Sequence, residues 1–108
     1  MAYAQYLVPQ YRHLKAVPSQ AYNMDEAELN ALGYQLIRAG QRPEAIRIFQ
    51  LNVEAFPQSS NTYDSLGEAY MESGDKPRAV ANYQESLRLN PKNSNDVKML
   101  QKLQAPAR

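Results

Sequence analysis

TYDSLGEAYMESGDKPRAVANYQESLRLNP, residues 62–91, decides the fold, because a shift of 34 positions lays it on an earlier stretch of the same chain. Leu66 falls on Leu32, Gly67 on Gly33, Gly74 on Gly40, Pro77 on Pro43, Ala79 on Ala45, Gln84 on Gln50 and Pro91 on Pro57. Tyr70, Val80, Tyr83 and Leu87 fall on Leu36, Ile46, Phe49 and Val53, which are conservative swaps. All 4 glycines of the chain obey the rule. A 34-residue period of small, aromatic and proline positions is the signature of a helix–turn–helix repeat.

The punctuation inside each period agrees. Asn23 followed by Glu26, or Asp25 followed by Glu28, gives the first helix a capping-box start. Leu29, Leu32, Leu36 and Ile37 recur at helical spacing, Gly40 ends that helix, and Pro43 suits the first turn of the next. Ala45, Ile46, Phe49 and Val53 form the second stripe before Pro57 stops it. In the second period Ser60 or Asn61 caps, Tyr63, Leu66 and Tyr70 form one stripe, and Ala79, Val80, Tyr83 and Leu87 the next. Gly33 and Gly67 stand mid-helix, where glycine costs about 1 kcal/mol relative to alanine. Their recurrence predicts close approach of the facing helix, with Ala45 and Ala79 as the opposing small surface.

Outward from the repeats (26–59 and 60–93) lie residues 1–25, rich in tyrosine, and 94–108, a last helix over 94–104 with a tail. Val97, Leu100 and Leu103 are expected to cover the open end near Tyr83 and Leu87, with Asp96, Lys98, Gln101 and Lys102 facing water. Pro9 can open a short helix over Gln10–Val17. Ile48, Leu51 and Ala55 form an extra apolar stripe peculiar to the first repeat. Its cover is expected from the N-terminal segment, through Tyr11 and Leu14; a second copy of the chain or a neighbouring domain is the alternative. Two repeats are marginal alone, so the flanks must add packing or the chain must self-associate.

At 108 residues the chain is one domain at most, and 44% hydrophobic with 21% charged residues is ordinary globular composition. A net charge of +1 gives no electrostatic case for nucleic acid. No apolar run approaches a membrane span. With no cysteine and one histidine, His13, neither disulfides nor Cys- or His-rich metal clusters are expected. No nucleophile elbow, phosphate loop or zinc-protease motif is present, so no catalytic residue and no cofactor are expected. His13 lacks a partner identifiable by motif, and the tyrosines around Arg12 and Lys15 read as amphipathic cover rather than base-stacking platforms.

Tyr63, Leu66-Gly67, Tyr70, Ala79, Tyr83 and Pro91 resemble the tetratricopeptide repeat closely, and Leu29, Leu32-Gly33, Leu36, Ala45, Phe49 and Pro57 resemble it with leucine for two aromatics. Both repeats depart at the late small position, carrying Asn52 and Ser86, which should loosen the contact between successive repeats. The resemblance implies an all-α solenoid of two repeats with a C-terminal capping helix and an N-terminal covering segment. It also implies that the first helix of each pair lines a concave groove. Asn30, Tyr34, Arg38, Asn61, Asp64, Glu68 and Glu72 would then line it, joined by Lys98 and Lys102. Asp64, Glu68 and Glu72 share a helix face as an acidic stripe. Some members grip a peptide's terminal carboxylate with lysines and asparagines. Tyr34 and Glu68 occupy the asparagine places here, which disfavours an anionic peptide end.

A second likeness is to the repeat tails of some bacterial serine hydrolases, β-lactamase-like or α/β-hydrolase-like. It is carried by Leu51-Asn52-Val53-Glu54, Tyr63-Asp64-Ser65-Leu66-Gly67-Glu68 and Asn90-Pro91. The expected function is a non-catalytic protein–protein interaction module that presents a polar groove to a protein or peptide. The alternative is a homodimerising or domain-packing tail of a larger hydrolase. The chain reads as soluble, cytoplasmic or, as an excised tail of an exported hydrolase, periplasmic.

Overall fold

The computed structural model describes residues 19–105, and every regular element among them is helical. A 3₁₀ turn at Ser19–Asn23 leads into α1 (Glu26–Arg38), α2 (Arg42–Ala55), α3 (Ser60–Glu72), α4 (Lys76–Leu89) and α5 (Ser94–Gln104). α1 packs on α2 and α3 on α4 as two helix hairpins, α2 packs on α3, and α5 closes on α4. The architecture is an all-α helical-repeat solenoid with a further C-terminal helix. The expected helix over Gln10–Val17, and the cover by Tyr11 and Leu14, lie outside the described residues.

Local chemistry sets the helix ends. Asp25 and Glu28 form the capping box: the Glu28 amide donates to Asp25 Oδ1 at 2.8 Å, and the Asp25 amide to Glu28 Oε1 at 2.9 Å. α3 is capped by Ser59, one residue before Ser60 and two before Asn61, the expected caps, and without a side-chain cap bond. The Ser59 hydroxyl is engaged elsewhere, donating to Glu26 Oε2 at 2.6 Å. Pro43 and Pro77 stand in the first turns of α2 and α4, where a missing N–H costs nothing.

Gly40 and Gly74 adopt φ of 77° and 82°. Each closes a Schellman motif: the Gln41 and Asp75 amides reach back to the Leu36 and Tyr70 carbonyls at 2.9 Å. A side chain at such a φ is strained by about 1–2 kcal/mol. Gly40→Ala should therefore lower stability by about that amount, read by urea denaturation at unchanged helical content.

The main core gathers Ala45, Phe49, Leu66, Ala69, Tyr70, Ala79 and Tyr83. The close approach at the mid-helix glycines is present, but the opposing group is a ring rather than Ala45 or Ala79. A Cβ on Gly33 would overlap the Phe49 ring, 2.8 Å from Cδ1 and nearer still to Cε1 and Cζ; one on Gly67 would stand 3.2 Å from Tyr83. Glycine is needed because it leaves room for an aromatic ring close against α1 or α3.

Asn52 and Ser86 each bind the first helix of their own repeat. Both are fully buried. Asn52 Nδ2 donates to the Glu26 carbonyl at 3.1 Å and Ser86 Oγ to the Ser60 carbonyl at 2.9 Å, the same bond one period apart. The stripe peculiar to the first repeat is partly covered. Ile48 and Leu51 are buried with Ala21 and Leu29, with Met24, Leu32, Leu36 and Phe56 packed around them, while Ala55 is exposed.

α5 is rotated from its expected phase. Met99, Leu100 and Leu103 pack on the core, Val97 is 40% exposed, and Asp96 is 0% exposed rather than facing water. The inward stripe is thus 96, 99, 100 and 103, the i, i+3, i+4, i+7 pattern, which places 97 a quarter-turn outside it.

Candidate functional site

The 34-residue register sets α1 beside α3 with equivalent positions opposed. Tyr34 therefore meets Glu68: its hydroxyl donates to Glu68 Oε1 at 2.7 Å. Ser65 Oγ donates to Asn30 Oδ1 at 2.5 Å. The Tyr34 and Ser65 oxygens are 3.3 Å apart, but the single phenolic proton goes to the carboxylate, the stronger acceptor. Below its hydroxyl the Tyr34 ring stands edge-on to Phe49, centroids 5.2 Å apart at 68°. One side chain thus joins the buried ring stack to the polar face.

α5 continues the row. Asn95 Nδ2 approaches Asp64 Oδ1 at 3.5 Å, a contact at the outer limit of a hydrogen bond. Asp96, capped at its amide by Asn93 Oδ1 at 3.1 Å, lies buried behind. Asn30, Tyr34, Asp64 and Glu68 are therefore drawn into one polar row along α1, α3 and α5, each half-buried. Arg38, Asn61 and Glu72 lie at the ends of α1 and α3, exposed, and Lys98 and Lys102 are exposed on α5. The residues the sequence reading did not assign to this row are Ser65, Asn95 and Asp96. Asp96 carried a visible signal, since it falls in an i, i+3, i+4, i+7 stripe with Met99, Leu100 and Leu103.

The electrostatics of the row are those of crowded acid. Burial, then the hydrogen bond and charge of Asp96, then the charge of Glu68, push the Asp64 carboxyl up to about 7, against a small opposing effect of Asn95. Burial, with Glu68 and Asp64 nearby, raises the Tyr34 phenol, although the Ser65 contact lowers it. Burial and the charges of Asp64, Glu68 and Asp96 raise Tyr83. The ion pairs Arg78–Asp75 at 2.7 Å and Arg88–Glu85 at 2.5 Å involve α4 and its cap and leave this row untouched. Such a face can accept hydrogen bonds and attract cations. Among the described residues no group of three or more His, Cys, Asp or Glu could hold a metal ion, and no helix is long and apolar enough to cross a membrane.

A second depression lies between α2 and α4, lined by Pro43, Ile46, Arg47, Gln50, Tyr70 and Arg78. Gln50 Nε2 donates to the Tyr70 hydroxyl at 2.8 Å there, and the Arg78 guanidinium stands 6.0 Å from the Tyr70 ring centroid.

Compared with known families, residues 60–93 match the model of the tetratricopeptide repeat. None of the curated proteins compared with the chain matches it.

Proposed function

We propose that this chain is a tetratricopeptide-repeat protein, on the match at residues 60–93, and that its α1–α3–α5 face receives an extended segment of a protein partner and performs no catalysis. Tetratricopeptide repeats generally mediate protein–protein interaction, and all-helical folds of this type are typically non-catalytic. The observation that carries the reading is the row of polar pairs Asn30–Ser65, Tyr34–Glu68 and Asp64–Asn95, which spans three helices and is anchored from below by the Tyr34–Phe49 ring contact. A row fixed by its own bonds is pre-organised, so little ordering cost falls on binding. Arg38, Asn61 and Glu72 extend the face at its rim.

The test is selection of linear peptides from a displayed library on the immobilised chain, followed by affinity measurement. Peptides that bind the face should weaken by at least about tenfold against the Glu68→Lys/Glu72→Lys double variant. Far-UV circular dichroism should remain that of the wild type. Equal affinity for both proteins, at equal helicity, would exclude this face.

A further inference from the structure

We infer that the α3–α5 end of this face takes up a cationic side chain, the lysine or arginine of an extended peptide, in exchange for a proton. The inference rests on the interaction reading above and names the chemistry of the partner. Asp96 is the starting point. It is 0% exposed, and neither of its carboxylate oxygens has a hydrogen-bond partner. The group beside it is another acid, the Asp64 carboxyl, near enough to share a hydrogen bond with it once one of the two carries a proton.

The groups that face Asp64 are Glu68 from α3, Asp96 and the Asn95 amide from α5, Tyr83 from α4 and Tyr34 from α1. None of them is a cation. Lys98 and Lys102 are exposed and form no ion pair with these acids. Two adjoining carboxyls withdrawn from water relieve their repulsion either by holding a proton or by gathering a positive charge. Asp64 and Glu68 are both half-buried and so still reachable from solvent, and Glu68 stands one helical turn away with Oε1 fixed by Tyr34. An ammonium or guanidinium laid against Asp64 and Glu68 therefore replaces the proton. A divalent metal would want more ligands than this pair offers. A carboxylate-bearing segment would be repelled.

The full chain should be titrated calorimetrically with three blocked hexapeptides, alternating glycine with lysine, norleucine or glutamate, in two buffers of different ionisation enthalpy. The lysine peptide should bind at least about tenfold more tightly than either other and release a substantial fraction of a proton near pH 6.5. Asp64→Asn should abolish that release and weaken the lysine peptide about tenfold, while the charge control Glu44→Gln on α2 changes neither. Asp96→Asn should abolish the release as well. Lysine-peptide binding without proton release, or preference for norleucine or glutamate, overturns the inference. If the preferred peptide then weakens with Tyr34→Ala, the interaction reading stands without it. No binding by any of the three also overturns the inference, and the library selection decides the reading separately.

Discussion

Gly33→Ala should destabilise the chain by about 1–3 kcal/mol, even though alanine improves helix propensity by about 1 kcal/mol. The new Cβ has nowhere to go. It would overlap three atoms of the Phe49 ring, which is fully buried and held edge-on by Tyr34. The ring must leave its place or α1 must lift from α2. For a domain of this size the loss should lower Tm by about 4–8 °C per kcal/mol. Gly67→Ala supplies the internal comparison. There the nearest Tyr83 atoms stand at 3.2–3.3 Å, so a shift of a few tenths of an ångström suffices. The propensity gain then offsets the crowding, and the net change should stay within about 1 kcal/mol of zero. Phe49→Leu in the Gly33→Ala background should recover part of the loss, because the smaller side chain vacates the overlap. Equal effects at both glycines would mean that the ring contact is not what sets them apart.

The second large effect is a fall in stability as pH rises from about 5 to about 8, the reverse of ordinary acid sensitivity. The Asp64 carboxyl is pushed up to about 7 in the folded chain from an ordinary value of 3.8. Between these values the folded state binds more protons than the unfolded state. The stabilisation is therefore complete below the lower value and lost as pH passes through the upper one. Asp75 and Glu85 act in the opposite sense, since Arg78 and Arg88 hold their carboxyls low and their contribution disappears only in acid. Taken in full, that displacement corresponds to about 4 kcal/mol, but Asp64 is partly open to solvent, and screening leaves about 1–2 kcal/mol. Asp64→Asn should raise Tm at pH 8 and flatten the profile above pH 5. Parallel profiles for the wild type and the variant would show that folding does not raise the Asp64 carboxyl.

What could be read from the chain follows from how locally each feature is encoded. Helix ends at Gly40, Gly74, Pro43 and Pro77 depend on backbone conformation and a missing N–H, so residue identity alone announces them. The repeat register, once seen, also places Tyr34 opposite Glu68. Asp96 was misread because amphipathic reasoning assigns a carboxylate to water, whereas the i, i+3, i+4, i+7 stripe turns it inward beside Asp64. The part Asn52 and Ser86 play inside their own repeats was not legible for a related reason. Their value lies in a tertiary bond to the first carbonyl of the preceding helix, which no local pattern encodes. The glycines were legible as small, but not that an aromatic ring would fill the space they leave.

The central claim is that the α1–α3–α5 face, and not the depression between α2 and α4, is where a partner binds. The most direct measurement is a ¹⁵N–¹H correlation titration of the labelled chain with a peptide selected on it. The account predicts that the largest shift changes fall on the amides of Asn30, Tyr34, Asp64, Glu68 and Asn95. Changes concentrated instead on Ile46, Arg47, Gln50 and Arg78 would contradict it.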